Sequence, residues 1–209
     1  MTEPYFWDRM YDVDAYRYGT DPNAFLAEVA ARELTEPATA LCVGDGEGRN
    51  GVWLAAQGHD VTMVEPSEVG VRKARELATE RGVDVTLVQE FFPTDTLGEA
   101  RYDLVALVYI HLPGPDMDAL YRAAAARVAP GGLLVVEGFH PDQVANARTS
   151  GGPPRPEMML TAERLRRELI DHEDTDLELV SLDEVTVELR EGKGHSGVAD
   201  VTRLVARRR

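Results

Sequence analysis

The sequence predicts an α/β fold: one seven-stranded, mostly parallel sheet with an antiparallel last strand and an N-terminal helical cap. Three observations predict it. Short apolar runs alternate with helix-like segments through most of the 209 residues. A loop with glycines at alternate positions follows the first apolar run directly. The chain ends in two strand-like stretches, separated by "REGKGHSG" and close enough in sequence to pair as an antiparallel hairpin.

The elements follow in order. "TALCVG" reads as the first strand and ends at the glycine loop; "NGVWLAAQG" is then a helix closed by Gly58. "DVTMVE" is the second strand. "SEVGVRKARELATERG" has Ser67 as N-cap, Gly82 as its stop and one apolar face from Val71, Ala74, Leu77 and Ala78. "VDVTLVQ" is the third strand. The continuous apolar run of "YDLVALVY" suits a central strand covered on both faces. "DMDALYRAAAARVA" is a helix ended by Pro130-Gly131-Gly132, and "LLVVEGF" is the fifth strand. The loop "SGGPPRP" precedes a helix over "TAERLRRELI", and the last strands run over about 177–189 and 198–206.

Residues 1–36 form the cap, within the same domain as residues 37–209. Seven aromatics precede Ala27: Tyr5, Phe6, Trp7, Tyr11, Tyr16, Tyr18 and Phe25. Two amphipathic helices packed on the sheet, or an aromatic cover over a pocket, both account for them.

Bulk composition excludes several classes. With 37 acids against 22 bases the formal charge is −15, which disfavours a nucleic-acid partner because phosphate affinity comes from Lys and Arg. One cysteine, Cys42, rules out a disulfide framework within the chain. The longest apolar run is too short to span a bilayer, and the acidic, Pro-broken start is no signal peptide, so a cytoplasmic protein, monomer or homodimer, is expected. The histidines are too dispersed in sequence to argue a metal site.

The glycine loop carries the chemistry. Gly44, Gly46 and Gly48 lie where ligands bind in open α/β sheets, beyond the carboxyl end of the first strand. Their G-x-G-x-G spacing is one residue short of the dinucleotide fingerprint, and Asp45 and Glu47 would repel a pyrophosphate. A cationic, phosphate-free ligand suits those acids better. Glu65 ends the second strand about 20 residues on, where an acid accepts hydrogen bonds from both ribose hydroxyls. At the end of the third strand, Glu90 can accept from an adenine amino group and Phe91 can cover the ring.

Gly loop, Glu65, Glu90, the fourth-strand segment, "PGG" and the terminal hairpin together resemble the class I S-adenosylmethionine-dependent methyltransferases. "GEGRNGVWLAAQGHDVTMVEPS" resembles the tellurite-resistance type and its small-molecule relatives, and "YGTDPNAFL", "HLP", "EGF" and "EGKGHSG" are similar to a bacterial branch near that group. The resemblance implies S-adenosyl-L-methionine as cofactor and a small-molecule methyl acceptor, of the tellurite, selenite or thiol type. It implies cofactor contacts from Gly44, Asp45, Gly46, Gly48, Arg49, Asn50, Glu65, Pro66, Glu90, Phe91 and Tyr109. Cys42 departs from the pattern, since the wider class keeps an acid two residues before the first glycine. On the acceptor side, Tyr109 and His111 leave the fourth strand, Glu137 and Phe139 leave the fifth, and the loop before the last strand brings Arg190, Glu191 and His195. Tyr109, His111, Arg190 and His195 are the catalytic candidates. A catalytically silent cofactor-binding domain and a nucleotide-dependent oxidoreductase are the alternatives.

Overall fold

The computed structural model describes residues 5–209. Its sheet has seven strands: β1 (Thr39–Val43), β2 (Asp60–Val64), β3 (Thr86–Val88), β4 (Tyr102–Val108), β5 (Val128–Phe139), β6 (Leu177–Glu191) and β7 (His195–Arg208). The strand order is β3-β2-β1-β4-β5-β7-β6, so the order turns back at β1, whose carboxyl end runs into the glycine loop. β1, β2 and β3 pair in parallel, β4 pairs in parallel with β5, and β7 runs antiparallel to β5. The helices are α1 (Phe6–Tyr11), α2 (Ala24–Glu33), α3 (Arg49–Ala56), α4 (Glu68–Arg81), α5 (Gly114–Ala126), α6 (Asp142–Ala145) and α7 (Ala162–Leu165), the last running on into a π-turn over Arg166–Ile170.

Local chemistry sets these boundaries. Ser67 caps α4 by accepting from the Gly70 amide (3.0 Å), and Gly82 closes it at φ +66°, a conformation that costs glycine nothing. Asn23 caps α2 through the Leu26 amide, 2.9 Å away. Ala40–Val43 and Leu104–Leu107 are buried without alternation, as strands covered on both faces require. Leu41, Leu104 and Leu134 have no exposed surface, so truncating any one to Ala costs about 2–5 kcal/mol.

Two expectations are adjusted. The "PGG" segment does not separate helix from strand: β5 starts at Val128, and Pro130-Gly131-Gly132 form a bulge, because Tyr102 pairs with Val128 while Leu104 pairs with Leu133. The terminal hairpin has a turn of only Gly192–Gly194, so Arg190 and Glu191 end β6 and His195 begins β7. The chain divides into two compact units. One holds the residues up to Thr96 together with Glu191–Gly194; the other holds Leu97–Arg190 and His195–Arg209.

Candidate active site

The first unit builds the glycine loop. Gly44, Gly46 and Gly48 all have positive φ, between +59° and +91°. Two of them are demanded by the protein's own atoms. A Cβ on Gly46 would lie 2.5 Å from the Tyr11 hydroxyl, and one on Gly48 would lie 2.6 Å from the Cβ of Ala74 in α4. The loop's acids also turn inward. Asp45 accepts from the Gly51 amide (2.7 Å) and the Asn50 side chain (2.8 Å), capping α3 from upstream where Gly48 has no side chain to do so. Burial pushes its pKa up to about 6 against those hydrogen bonds. Glu47 is buried against Lys73 (2.5 Å) and accepts from the Arg17 amide (2.7 Å). The sequence argument that both acids face a cationic ligand is therefore corrected: Glu47 is neutralised internally and Asp45 works as a cap.

Glu65 ends β2 as expected and is 4% exposed. One carboxylate oxygen accepts from the Gly46 amide and the other from the Ser67 amide, each at 2.9 Å, tying the glycine loop to the start of α4. Burial pushes its pKa up to about 7, with Asp45 and Asp8 adding repulsion. Pro66 links Glu65 to the α4 cap. Glu90 and Phe91 lie on the exposed turn after β3; Glu90 accepts from the Thr94 and Thr96 hydroxyls, and Phe91 meets the Tyr5 ring edge-on at 5.5 Å.

The cap's aromatics lie over this loop. Trp7 stacks on Tyr11 at 5.6 Å, and Tyr11 is buried against Gly46. Asp8 accepts from the Ser67 hydroxyl at 2.6 Å and fixes α1 to the start of α4. Lys73 was invisible as a site residue in the sequence, yet its ammonium donates to the carbonyls of Tyr11, Val13 and Ala15 at 2.8–3.0 Å as well as to Glu47. A lysine on the apolar face of a predicted amphipathic helix was the available signal.

Arg49 opens α3 and is buried, 2.8 Å from Glu191 on the hairpin turn, while its Nη1 has no protein partner. Asn50 joins Asp45 to the cap by accepting from the Asn23 amide at 2.9 Å. Cys42 is fully buried and its thiol is pushed well up by burial, so it supplies neither an acid nor a nucleophile.

The second unit gathers five of the acceptor-side candidates, Tyr109, His111, Glu137, Phe139 and His195, around the ends of β4 and β5. Tyr109 has φ +55°, and its hydroxyl donates to Glu137 at 2.7 Å; Glu137 also accepts from Arg203. A non-glycine residue at this φ is strained, which is common at functional positions. His195 is buried with its ring 4.3 Å from Tyr109 and 5.2 Å from Phe139. His111 stacks on Phe139, but both ring nitrogens serve the backbone. Nδ1 lies 3.1 Å from the Met158 carbonyl and Nε2 accepts from the Phe139 amide at 3.4 Å. Burial holds its pKa down at about 4, and both ring nitrogens tie it to the backbone at Phe139 and Met158. Arg190 is exposed beside Glu188 (3.4 Å), on the outer strand, away from this cluster. Of the three residues expected to converge, Arg190 is exposed, while Glu191 at the end of β6 and His195 at the start of β7 are buried.

A parallel sheet that turns back at β1, with a glycine loop at that point and a buried carboxylate after the next strand, defines a Rossmann-like fold. Residues 40–132 match the family described as methyltransferase domain, and the fold is similar to that of solved S-adenosylmethionine-dependent methyltransferases. A ubiquinone biosynthesis O-methyltransferase of Methylobacterium sp. (strain 4-46) is 33% identical over 96 residues, covering 46% of this chain and 39% of that one. The chain spans less than half the length of the curated relatives it matches. TehB from Haemophilus influenzae has a TM-score of 0.67 at 17% identity, over 98% of this chain and 66% of that one. The magnesium protoporphyrin IX methyltransferase ChlM from Synechocystis PCC 6803, solved with bound SAH, has a TM-score of 0.65 at 18% identity, over 97% and 83% of the two chains. Among the described residues no helix is long and apolar enough to cross a membrane, and no three His, Cys, Asp or Glu cluster to hold a metal ion.

Proposed function

We propose that the chain transfers a methyl group from S-adenosylmethionine to a small-molecule oxygen or sulfur nucleophile. Glu65 carries the reading. Each of its oxygens has accepted one backbone N–H and keeps a further lone pair, so the carboxylate fits the two hydroxyls of a ribose. Bound there, S-adenosylmethionine supplies a methyl carbon on a sulfonium, already a strong electrophile. The chain's own residues bind and aim. Glu65 fixes the ribose, and Tyr11 and Trp7 keep water from the glycine loop.

We assign Tyr109 and His195 to the acceptor. The methyl carbon bonds to the acceptor's oxygen or sulfur as the carbon–sulfonium bond breaks, its electron pair returning to sulfur. A neutral hydroxyl or thiol also sheds a proton, and a buried imidazole such as His195 is the group suited to take it. The relatives named as O-methyltransferases support oxygen, while the resemblance to the tellurite-resistance type supports an oxyanion or thiol.

Calorimetry with S-adenosylhomocysteine tests the binding half. Binding is expected, with Glu65→Ala at least about tenfold weaker; no heat at roughly 1 mM ligand overturns the reading. Transfer of labelled methyl to tellurite, selenite, thiols and phenols tests the chemistry. Tyr109→Phe and His195→Ala should slow turnover while cofactor affinity holds. Cofactor binding with no transfer to any acceptor would mean a silent binding domain.

A further inference from the structure

Methyl transfer as assigned gives Glu137 and Arg203 no task, although they form a buried ion pair in the second unit. Glu137 stands in the middle of the sheet. In the ladder it lies opposite Val108 of β4 on one side and Arg203 of β7 on the other. Its side chain has no exposed surface, and its Oε2 accepts from Arg203 Nε. Apolar side chains in place of such a buried pair are often as stable or more so, so the fold alone does not call for it.

Tyr109 is what the pair holds. Its hydroxyl donates to Oε1 of Glu137 at 2.7 Å, and its backbone amide donates to the Glu137 carbonyl, also at 2.7 Å. Alternate residues of a strand face opposite ways, so a regular continuation of β4 would carry Tyr109 away from the face that Val108 shares with Glu137. The chain instead turns at φ +55°, and the ring comes to the Glu137 side, 4.8 Å from Phe139 and 4.3 Å from His195. Two bonds to one residue keep this strained turn in place.

The direction of the phenol bond has a chemical consequence. A carboxylate paired with a guanidinium only accepts, so the Tyr109 hydrogen lies toward Glu137. Whatever meets the Tyr109 oxygen from the open side of this half-buried residue must bring a hydrogen of its own. A neutral hydroxyl brings one. An ionised oxygen brings lone pairs only, and it also faces the negative charge of Glu137 behind the phenol. Arg203 does not answer that charge on the ligand's behalf, because its guanidinium is already engaged by Glu137. The rings of Tyr109, Phe139 and His195 likewise favour a flat, uncharged body over a hydrated anion.

We propose that Glu137 is a positioning residue that turns the Tyr109 hydroxyl inward, and that the site thereby selects a neutral, phenol-type hydroxyl compound as methyl acceptor over oxyanions of the tellurite or selenite kind. The proposal rests on the assignment of Tyr109 to the acceptor and narrows that assignment to one chemical class. Tyr109 holds the acceptor and does not deprotonate it, since a phenol that carries its own proton is no base. Loss of the acceptor's proton stays with His195, whose ring lies beside it.

The experiment measures kcat/KM for labelled methyl transfer to 4-methylphenol and to selenite at about pH 7, where the first is neutral and the second an anion. The parent should prefer the phenol by about tenfold or more. Glu137→Gln keeps the shape of the side chain. With its amide oxygen accepting from Arg203, its NH2 donates to Tyr109 and turns the phenol hydrogen outward. The preference should then move toward selenite by about tenfold. Removing the Glu137 charge would favour an anion by itself, so Glu137→Gln combined with Tyr109→Phe separates the causes. A shift that runs through the phenol disappears in the double variant; a shift that runs through charge persists. Tyr109→Phe alone keeps the ion pair, should lower the parent's preference for the phenol, and serves as the test if Glu137→Gln does not fold. A parent that prefers selenite, a preference unmoved by the single variants, or a shift that persists in the double variant would overturn the inference and leave methyl transfer standing. A parent that binds S-adenosylhomocysteine but methylates neither acceptor also overturns it, with cofactor binding intact. No binding of S-adenosylhomocysteine removes the cofactor reading and the inference with it.

Discussion

A carboxylate at the end of a parallel strand can face a ribose only if it gives up much of its water. Glu65 does so between two backbone amides, and its pKa rises to about 7. Two consequences have opposite signs. For stability, the folded state keeps a proton that the unfolded chain loses near pH 4.5, so Glu65 destabilises the fold as pH rises from there through about 7. The total is of order 3 kcal/mol, and Asp45 acts in the same direction. For binding, ribose hydroxyls need the ionised acceptor. S-adenosylhomocysteine affinity should therefore rise as pH climbs toward about 7 and level off above it. In Glu65→Gln the profile should be flat and the affinity lower at every pH. Calorimetry across that range checks both, and a parent profile as flat as the variant's would remove the ribose assignment. The position of Glu65 directly after β2 is legible in the sequence because it follows from strand length and loop spacing. Glu47 was misjudged there, because the type of a residue does not reveal which partner uses it: Lys73 takes that carboxylate.

At the scale of elements, the N-terminal cap has little core of its own. α1 has six residues and buries only Tyr11, so propensity alone does not hold it. Lys73 supplies the missing attachment from α4, donating to three cap carbonyls and to Glu47, with the Tyr16 ring 5.1 Å from its ammonium. Lys73→Met should cost about 3–5 kcal/mol, because Glu47 is then buried without a counter-charge. Amide exchange over residues 5–18 should rise more than elsewhere. Adding Glu47→Gln should recover most of the stability but not the exchange protection, since the carbonyl bonds stay lost. Uniform exchange in Lys73→Met would show that the cap is held by its aromatics instead. Helix periodicity places Lys73 beside the apolar face, and only the packed cap shows what its ammonium binds.

Across the whole molecule the formal charge of −15 is the largest electrostatic fact. Like charges on a compact body repel, and salt screens them over about 8 Å at physiological ionic strength. The melting temperature should therefore climb between about 10 and 200 mM NaCl, and a scanning calorimeter reads it directly. A flat or falling curve would mean that the buried pairs, not the surface charge, dominate the salt response. The outer strand β6 is long and carries Glu178, Asp183, Glu184 and Glu188 among its exposed residues, charges that discourage pairing with a second sheet edge.

Most of the fold was determined by the sequence alone. Apolar run lengths, helix caps at Ser67 and Gly82, and the glycine loop specify local states, and parallel strands joined by helices have few ways to assemble. The position of Glu65 follows from the same local rules. The tertiary structure decided which charges are spent and which remain available. Glu47 and Lys73 lie 26 residues apart, and Arg49 and Glu191 lie 142 apart. No local rule links such pairs, because their energy comes from leaving water together, which happens only when the chain has packed.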